Sequence, residues 1–188
     1  MLPNEMPRLQ HGPVVLRAFE SRDAALVQAA ASDELIPLIT TVPVSGTHEE
    51  ALAFISRQHD RLFTRTGYSF AIADAVSGEA VGQIGLSLRD IEQGRASTGY
   101  WVARAHRGRG YVTAALQALT VWAFELDEVE RLQLYVEPWN RASWQAAERC
   151  GFQREGLLRS WQQIGGTRKD MYVYSRIRQD PSIPTASS

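Results

Sequence analysis

Residues 99–116 constrain the fold more than any other stretch, because a strand, a glycine-rich loop and a helix follow one another there without a break. Tyr100-Trp101-Val102 is a short apolar run of residue types that favour strands. The loop after it is polar, and from Gly110 onward apolar residues recur at three- and four-residue steps, as on one face of a helix. We therefore expect a glycine loop between the end of a strand and the start of a helix.

This loop is suited to an anion. The first N–H groups of a helix lack intrahelical partners and lie at the positive end of its dipole. Gly108 and Gly110 have no Cβ, so a bulky group can approach the main chain, and Arg107 and Arg109 add positive charge. The sequence predicts a phosphate or pyrophosphate site here. The alternative is a glycine-rich turn with a solvated basic patch.

Two common phosphate loops are excluded by the residues around Gly110. A P-loop continues with Lys and then Ser or Thr, whereas Gly110 is followed by Tyr111. A dinucleotide fingerprint needs a third glycine where this chain has Thr113, and it belongs to an early βαβ unit rather than to a position past mid-chain.

At these residues the chain resembles the GNAT N-acetyltransferases. Their signature, Gln or Arg followed by x-x-Gly-x and then Gly or Ala, lies between a strand and a helix and binds the pyrophosphate of acetyl-CoA. The matching segment is Arg107-Gly108-Arg109-Gly110-Tyr111-Val112, in which Val112 replaces the small last residue but keeps its N–H. The wider string is most similar to the branch that acetylates N-terminal alanines of ribosomal proteins. The resemblance covers about residues 16–177 and implies acetyl-CoA as co-substrate, bound by this segment together with Trp101, Val102 and Asn140.

Composition sets the class of protein. With 188 residues, 44% of them apolar and 22% charged, the chain is expected to form one domain over residues 1–179, followed by a disordered tail at 180–188. A net charge of −1 implies no general attraction to nucleic acid or to a membrane surface. The N-terminus does not resemble a signal peptide, no apolar run is long enough for a membrane span, and a single cysteine excludes an internal disulfide. These features are compatible with a cytoplasmic protein.

The remaining pattern predicts an α+β fold with one GNAT-type domain. Three strands joined by short turns cover residues 68–102 and should form an antiparallel meander. The helix after Gly110 leads to a strand at 132–136, and such a crossover makes the strands on either side of it parallel. We expect a mixed central sheet of about seven strands flanked by four helices, with residues 35–45 irregular. Ser21, Thr47 and Asn140 are the predicted helix caps.

Asn140 and Ser143 lie at the start of the fourth predicted helix. Asn is a favoured N-cap, and the resemblance implies a second role, because the family's Asn here binds the pantetheine arm. Many members also carry a Tyr, four residues after the Ser143 position, that protonates the departing thiolate; this chain has Ala147 there. In the ribosomal branch a Ser is proposed for that role, which makes Ser143 the candidate acid. The alternative is an ordinary first-turn hydroxyl.

Glu137, at the end of the preceding strand, is the candidate base, and its alternative is a solvated strand-end carboxylate. The ribosomal branch has a further Glu where our alignment places Gln162, and an amide cannot accept a proton. An enzyme without a strong base should favour amines that are already partly neutral at the pH at which it works. These are α-amines, with a pKa of about 7.7–8.0, rather than lysine side chains, with a pKa of about 10.4.

The other chemically capable residues receive structural interpretations. Cys150 precedes Gly151 at a helix end and is expected to pack in the core. The four histidines show no metal-ligand spacing, so no metal is predicted. Three tryptophans could line an acceptor pocket, although core packing is the commoner fate: Trp139, Trp144 and Trp161.

Two functions stay open from the sequence. The first is an acetyltransferase that moves acetyl from acetyl-CoA to a primary amine by direct attack in a ternary complex, with the strand N–H near Val102 polarising the thioester carbonyl. The second is a non-catalytic acyl-CoA sensor on the same fold. The acceptor could be a peptide or a small molecule, and the protein could be a monomer or a homodimer.

Overall fold

An eight-stranded mixed sheet forms the centre of the computed structural model, which describes residues 2–181. The strands are β1 (Leu9–His11), β2 (Val14–Arg17), β3 (Gly67–Asp74), β4 (Ala80–Ser87), β5 (Arg95–Val102), β6 (Arg131–Val136), β7 (Gln153–Ile164) and β8 (Thr167–Ile177). Their order across the sheet is β1-β2-β3-β4-β5-β6-β8-β7. The β5–β6 pair is parallel and the other pairs are antiparallel, which confirms the predicted mixed sheet and crossover. Residues 182–188 of the predicted tail lie outside the described residues.

Five α-helices join the strands within residues 2–181. They are α1 (Ala24–Ala31), α2 (Ile36–Ile39), α3 (His48–Phe63), α4 (Tyr111–Glu125) and α5 (Arg141–Arg149). Short 3-10 turns cover Ser21–Asp23, Ile91–Gln93 and Arg104–His106. None of the helices in this range has the length and apolar character needed to cross a membrane.

Two short elements were not expected. β1 pairs with β2 through Leu9 and Leu16, but three residues with little apolar character give no strand signal. α2 falls where Pro37 suggested irregular chain. The proline occupies the first helical turn, where its missing N–H is tolerated, and Asp33 Oδ1 accepts the N–H groups of Leu35 and Ile36 at 3.0 and 3.1 Å.

The helix starts agree with the predicted caps at two positions out of three. Thr47 accepts the N–H of Glu50 at 3.3 Å, and Asn140 Oδ1 accepts the N–H of Ser143 at 3.2 Å. The prediction for Ser21 is wrong, because Ser21 begins a 3-10 turn that precedes α1, and the N-cap of that turn is Glu20, which forms a capping box with Asp23. The Asp23 carboxylate accepts the N–H of Glu20 at 2.8 Å and forms a buried ion pair with Arg17 at 2.7 Å.

The helices pack on both faces of the sheet. α4 and α5 cover one face, which carries the larger apolar core, whereas α1 and α3 cover the other. Side chains alternate along β5, so Tyr100 and Val102 belong to the α4 face and Trp101 to the α1 and α3 face.

The sheet opens at one place, between β5 and β6. The two strands are paired at Arg95–Ser97 and Arg131–Gln133. Beyond Ser97, β5 keeps its pairing with β4, and beyond Gln133, β6 keeps its pairing with β8. The two strand ends therefore diverge, and the gap between them passes through the sheet.

Candidate active site

A cleft of about 590 Å³ occupies this gap. Its lining on the α4 side includes Thr98, Tyr100, Asn140 and Ser143. On the opposite face it is lined by β4, by α2 and by the β7–β8 hairpin. After the two substrates that the resemblance implies, we call the two parts the thioester side and the acceptor side. The hairpin approaches α2 closely, because a Cβ at Gly165 would lie 3.7 Å from Leu38 Cδ1, and the acceptor side is thereby partly covered.

The glycine loop lies immediately after β5, and its residues 107–112 lie beyond those that line the cleft. Gly108 and Gly110 have φ angles of +76° and +79°, a conformation that suits glycine, and a Cβ at either would meet no atom within 4 Å. Gly110 precedes α4, whose first intrahelical bond runs from Ala114 N–H to the Gly110 carbonyl at 3.1 Å. The earlier N–H groups of the helix thus face open space, as an anion site requires.

Two side chains of the loop are held by the protein itself. Arg107 donates from Nε to the Val102 carbonyl at 3.0 Å and from Nη2 to Asp33 Oδ2 at 2.6 Å. Tyr111 donates to Asp74 Oδ2 at 2.7 Å, and its ring is buried. Bonds from the Ser77 N–H and the Tyr111 hydroxyl lower the pKa of Asp74 to about 2. Arg107 and Tyr111 therefore brace the loop, whereas Arg109 stays exposed.

One carboxylate connects this loop to the acceptor side. Asp33 caps α2 with one oxygen and binds Arg107 with the other. Burial works against ionisation of Asp33, but the N–H groups of Leu35 and Ile36 and the Arg107 guanidinium lower its pKa overall. The link between the loop and α2 is therefore ionic at neutral pH.

Backbone donors face the gap along the end of β5. Ala103 donates its N–H to Val81 of β4 at 2.9 Å, whereas the Val102 carbonyl accepts from Arg107. Successive residues of a strand present their N–H and C=O groups to opposite sides. The N–H groups of Val102 and Tyr100 consequently point toward β6 and the gap.

The Trp101 side chain lies on the acceptor side, away from these donors. Its Nε1 donates to Gln83 Oε1 at 2.7 Å, and Gln83 Nε2 donates to Gln58 at 2.9 Å and to Ser69 at 2.7 Å. These groups are buried and mutually satisfied. Trp101 and Gln83 therefore form a rigid surface under the acceptor side, which we call the Trp101–Gln83 floor.

Ser143 meets a second hydroxyl that the sequence analysis did not single out. The Tyr100 hydroxyl lies 2.9 Å from Ser143 Oγ and 3.1 Å from the Ser143 carbonyl. Burial raises the pKa of Tyr100 to about 12, so the phenol stays protonated at neutral pH. When Tyr100 donates to Ser143 Oγ, the serine proton is free to point into the cleft. The alternation along β5 places Tyr100 on the α4 face, but only the fold reveals that Ser143 is opposite.

The two residues considered as bases both line the cleft. Glu137 follows β6 and is half-buried, and its carboxylate has no hydrogen bond or ion pair with the rest of residues 2–181. Gln162 lies on β7 after a bulge, where the pairing passes from Leu158–Met171 to Gln162–Lys169. The structure thus brings Ser143, Asn140, Glu137 and Gln162 to one cleft.

The remaining candidates lie outside it. Cys150 is fully buried, and burial raises its pKa to about 12, in agreement with a packing role. Trp139 and Trp161 are exposed, and Trp144 donates to the Pro138 carbonyl at 3.3 Å. The aromatic residues that line the cleft are instead Tyr100, Trp101 and Tyr135. Trp161 contributes indirectly by stacking on Tyr135 at 5.5 Å. Across residues 2–181 there is no cluster of three or more His, Cys, Asp or Glu side chains placed to hold a metal.

Comparison with known proteins assigns the fold. Residues 14–153 match the family described as Acetyltransferase (GNAT) domain. The N-acetyltransferase p20 of Bacillus licheniformis, which is uncharacterised, is 29% identical over 168 residues, 89% of this chain and 94% of its own. The ribosomal-protein-serine acetyltransferase of Escherichia coli is 28% identical over 64% of this chain and 67% of its own. The structure of Mycobacterium smegmatis RimJ in complex with CoA-disulfide superposes with a TM-score of 0.78 at 24% identity, covering 95% of this chain and 90% of that one.

Proposed function

Because the chain belongs to the GNAT acetyltransferases, we propose that it transfers the acetyl group of acetyl-CoA to the α-amine of a peptide or small molecule, by direct attack in a ternary complex. The observation that carries the proposal is the cleft through the sheet. It has a pair of hydroxyls on one side and a partly covered chamber on the other, and the strand β5 that borders it leads into the glycine loop. Two substrates can meet there from opposite faces.

The cleft fits acetyl-CoA on two independent features. The glycines at 108 and 110 leave open space before the start of α4, where the pyrophosphate would be bound by N–H groups. The divergence of β5 and β6 leaves room for an extended arm between them. Acetyl-CoA supplies an activated acetyl thioester. Asn140 lines the gap next to Ser143, and its Oδ1 is used as a cap, so its Nδ2 group is the part available to the pantetheine arm.

The residues of the gap have separate roles in the transfer. The N–H groups of Val102 and Tyr100 would bind the thioester oxygen and so stabilise the charge that develops there. Attack forms the new C–N bond, the C–S bond breaks, and the thiolate must gain one proton. Ser143 supplies that proton and is resupplied by Tyr100 through the 2.9 Å contact.

The amine must lose one proton in the same reaction. Glu137 is the only carboxylate among the described residues that line the cleft, so it is the proposed proton acceptor there. An α-amine reaches the cleft partly neutral at working pH, which lessens the demand on this carboxylate. The relative named ribosomal-protein-serine acetyltransferase supports a protein or peptide as one class of acceptor.

The experiment is thiol release from acetyl-CoA with a panel of amines, using the wild type and Ser143→Ala. We expect amine-dependent release in the wild type and a fall in kcat of about 10²–10⁴-fold in the variant, with little change in the Kd for acetyl-CoA. Ser56→Ala, at an exposed site on α3, is the matched control. No amine-dependent release would favour the acyl-CoA sensor, and a loss below about threefold in Ser143→Ala would return Ser143 to a structural role.

A further inference from the structure

Arg61 presents an unpaired positive charge to the acceptor side of the cleft. It lies in the last turn of α3 and is the only cationic residue among the described lining residues. Its guanidinium has no hydrogen bond or ion pair with any other part of residues 2–181. Burial lowers the pKa of Arg61, and no acidic group opposes that effect. The charge is therefore partly removed from water without compensation from the protein.

The two neighbouring arginines each have a hydrogen-bond partner within the protein. Arg57, one turn earlier, donates to the Thr41 carbonyl at 3.3 Å, and Arg65, just past the helix, donates to Asn4 Oδ1 at 3.1 Å. A desolvated charge is costly unless a partner compensates for it. Of these three arginines Arg61 is the one that lines the cleft, so we expect the bound acceptor to supply its missing partner.

The residues around Arg61 indicate that its partner belongs to the end of the acceptor that lies farther from the thioester. Ser87 and Ser97 line the same side of the cleft and are paired across β4 and β5, and Ser87 is also paired with Gly67 at the start of β3. This end of the strands is the one that the end of α3 approaches. The glycine loop lies at the opposite end of β5, so Arg61 is remote from the expected pyrophosphate.

A stretch of the sheet that carries no side chains, which we call the corridor, leads from the serine pair near Arg61 to the Trp101–Gln83 floor. Gly85 and Gly99 are paired across β4 and β5, between the serine pair and the Trp101–Gln83 floor. A Cβ at Gly99 would meet no atom within 4 Å. An acceptor can thus lie along the sheet, with its amine at the gap and its other end toward Arg61.

We propose that Arg61 binds a carboxylate of the acceptor, so that the preferred acceptors are α-amines that carry a carboxylate a few atoms away. This inference rests on the proposed function. A guanidinium matches a carboxylate through two parallel hydrogen bonds, which gives orientation as well as affinity. The carboxylate is either the C-terminal carboxylate of a dipeptide or the side chain of an acidic second residue in a peptide.

The test compares acceptors that differ only in this group. One pair is a dipeptide and its amide, and the other is a dipeptide amide with Glu or Gln as second residue. We expect the wild type to prefer the carboxylate member of at least one pair by about 10- to 100-fold in kcat/KM, the range for a hydrogen bond to a charged group. The pair that shows the preference identifies the source of the carboxylate.

In Arg61→Gln the preference should disappear through a higher KM for the carboxylate acceptor, while the amide acceptor keeps its rate. Arg61→Lys should restore part of the preference, and Arg65→Gln, which removes a neighbouring charge outside the cleft, should leave it intact. The Kd for acetyl-CoA should be the same in all variants. A wild type that acetylates both members of each pair equally, or an Arg61→Gln that slows both equally, overturns the inference but not the proposed function.

Calorimetry provides a readout that does not need turnover. The protein is saturated with CoA, and the two members of each acceptor pair are then titrated in separately. Tighter binding of a carboxylate member that is lost in Arg61→Gln supports the inference even if no acetylation is detected. Equal binding of both members of each pair overturns it.

Discussion

The two ends of the cleft are built in different ways. The end proposed to bind the cosubstrate, which we call the cosubstrate end, is made largely of backbone: two glycines with positive φ, the first N–H groups of α4 and the strand N–H groups of β5, all within about a dozen consecutive residues. The acceptor end is made of side chains from α2, α3, β4, β6 and the β7–β8 hairpin. A ligand common to a whole family can be bound by main chain, whereas an acceptor that varies is bound by groups that can be replaced.

A single carboxylate joins the two ends. Asp33 caps α2 on the acceptor side and binds Arg107 in the glycine loop. Arg107 also holds the Val102 carbonyl, so it orders the strand end that supplies donors to the gap. The contrast between the two ends can be tested by changes that affect one end alone.

The largest effect is expected at the cosubstrate end. Gly110→Asp places a side chain and a negative charge where the phosphates would lie, so acetyl-CoA affinity should fall by at least ~100-fold, about 3 kcal/mol. Calorimetry measures this directly. Gly12→Asp is the matched control, because Gly12 also has positive φ with open space around its Cβ position but lies in the β1–β2 turn. Unchanged affinity in Gly110→Asp would remove the glycine loop from the cosubstrate site.

A change at the acceptor end should alter the binding of the amine but not that of acetyl-CoA. Gly99→Leu fills the corridor, so the KM for the amine should rise by about 10- to 30-fold, roughly 1.4–2 kcal/mol, while the Kd for acetyl-CoA is unchanged. Gly156→Leu, a glycine of β7 outside the cleft with similarly open surroundings, serves as control. A weaker affinity for acetyl-CoA with normal amine KM would show that the two ends are assigned the wrong way round.

A smaller effect is expected for Tyr100→Phe. The change removes the hydroxyl that contacts both Oγ and the carbonyl of Ser143, and it should lower kcat by about 3- to 10-fold without altering the KM for the amine, since a hydrogen bond contributes about 0.5–1.5 kcal/mol. The comparison is Tyr68→Phe, which loses a bond to the Pro3 carbonyl far from the gap. If both variants lose activity equally, Tyr100 acts on stability and not on Ser143.

The smallest effect is expected for Glu137→Gln. With an α-amine acceptor assayed above the pKa of the amine, the nucleophile is already neutral, and kcat/KM should change by less than about threefold. A steep loss under these conditions would make Glu137 an obligatory base.

The two ends also differ in how much of each could be predicted from the sequence. The strand, loop and helix from Tyr100 to α4 are consecutive, so local pattern identifies them, and the crossover rule then gives the parallel pair of β5 and β6. The N-caps at Thr47 and Asn140 are likewise local. The Ser21 prediction is wrong because Glu20 and Asp23 form the capping box of the 3-10 turn that begins at Ser21, and Asp23 is held there by its ion pair with Arg17.

The acceptor side could not be predicted in this way. Arg61 and Tyr100 stand out only in the folded protein, where elements distant in the chain place Arg61 at the cleft and Ser143 of α5 beside Tyr100. Trp139 and Trp161 were credible pocket residues by type, yet the structure leaves both exposed. Side-chain sites assembled across many elements have no spacing that a pattern can detect.

The most direct test of acetyl transfer to an α-amine is the pH dependence of kcat/KM for two peptides, one with its lysine blocked and one with its N-terminus blocked. A difference of about 2.5 in pKa leaves roughly 300-fold more neutral amine in the first peptide near pH 7. We predict that the first peptide is much the better acceptor and that its rate rises with pH to a plateau, with an apparent pKa near that of the α-amine. Equal rates for the two peptides near pH 7 would contradict the account, because the protein would then supply a base strong enough to deprotonate lysine.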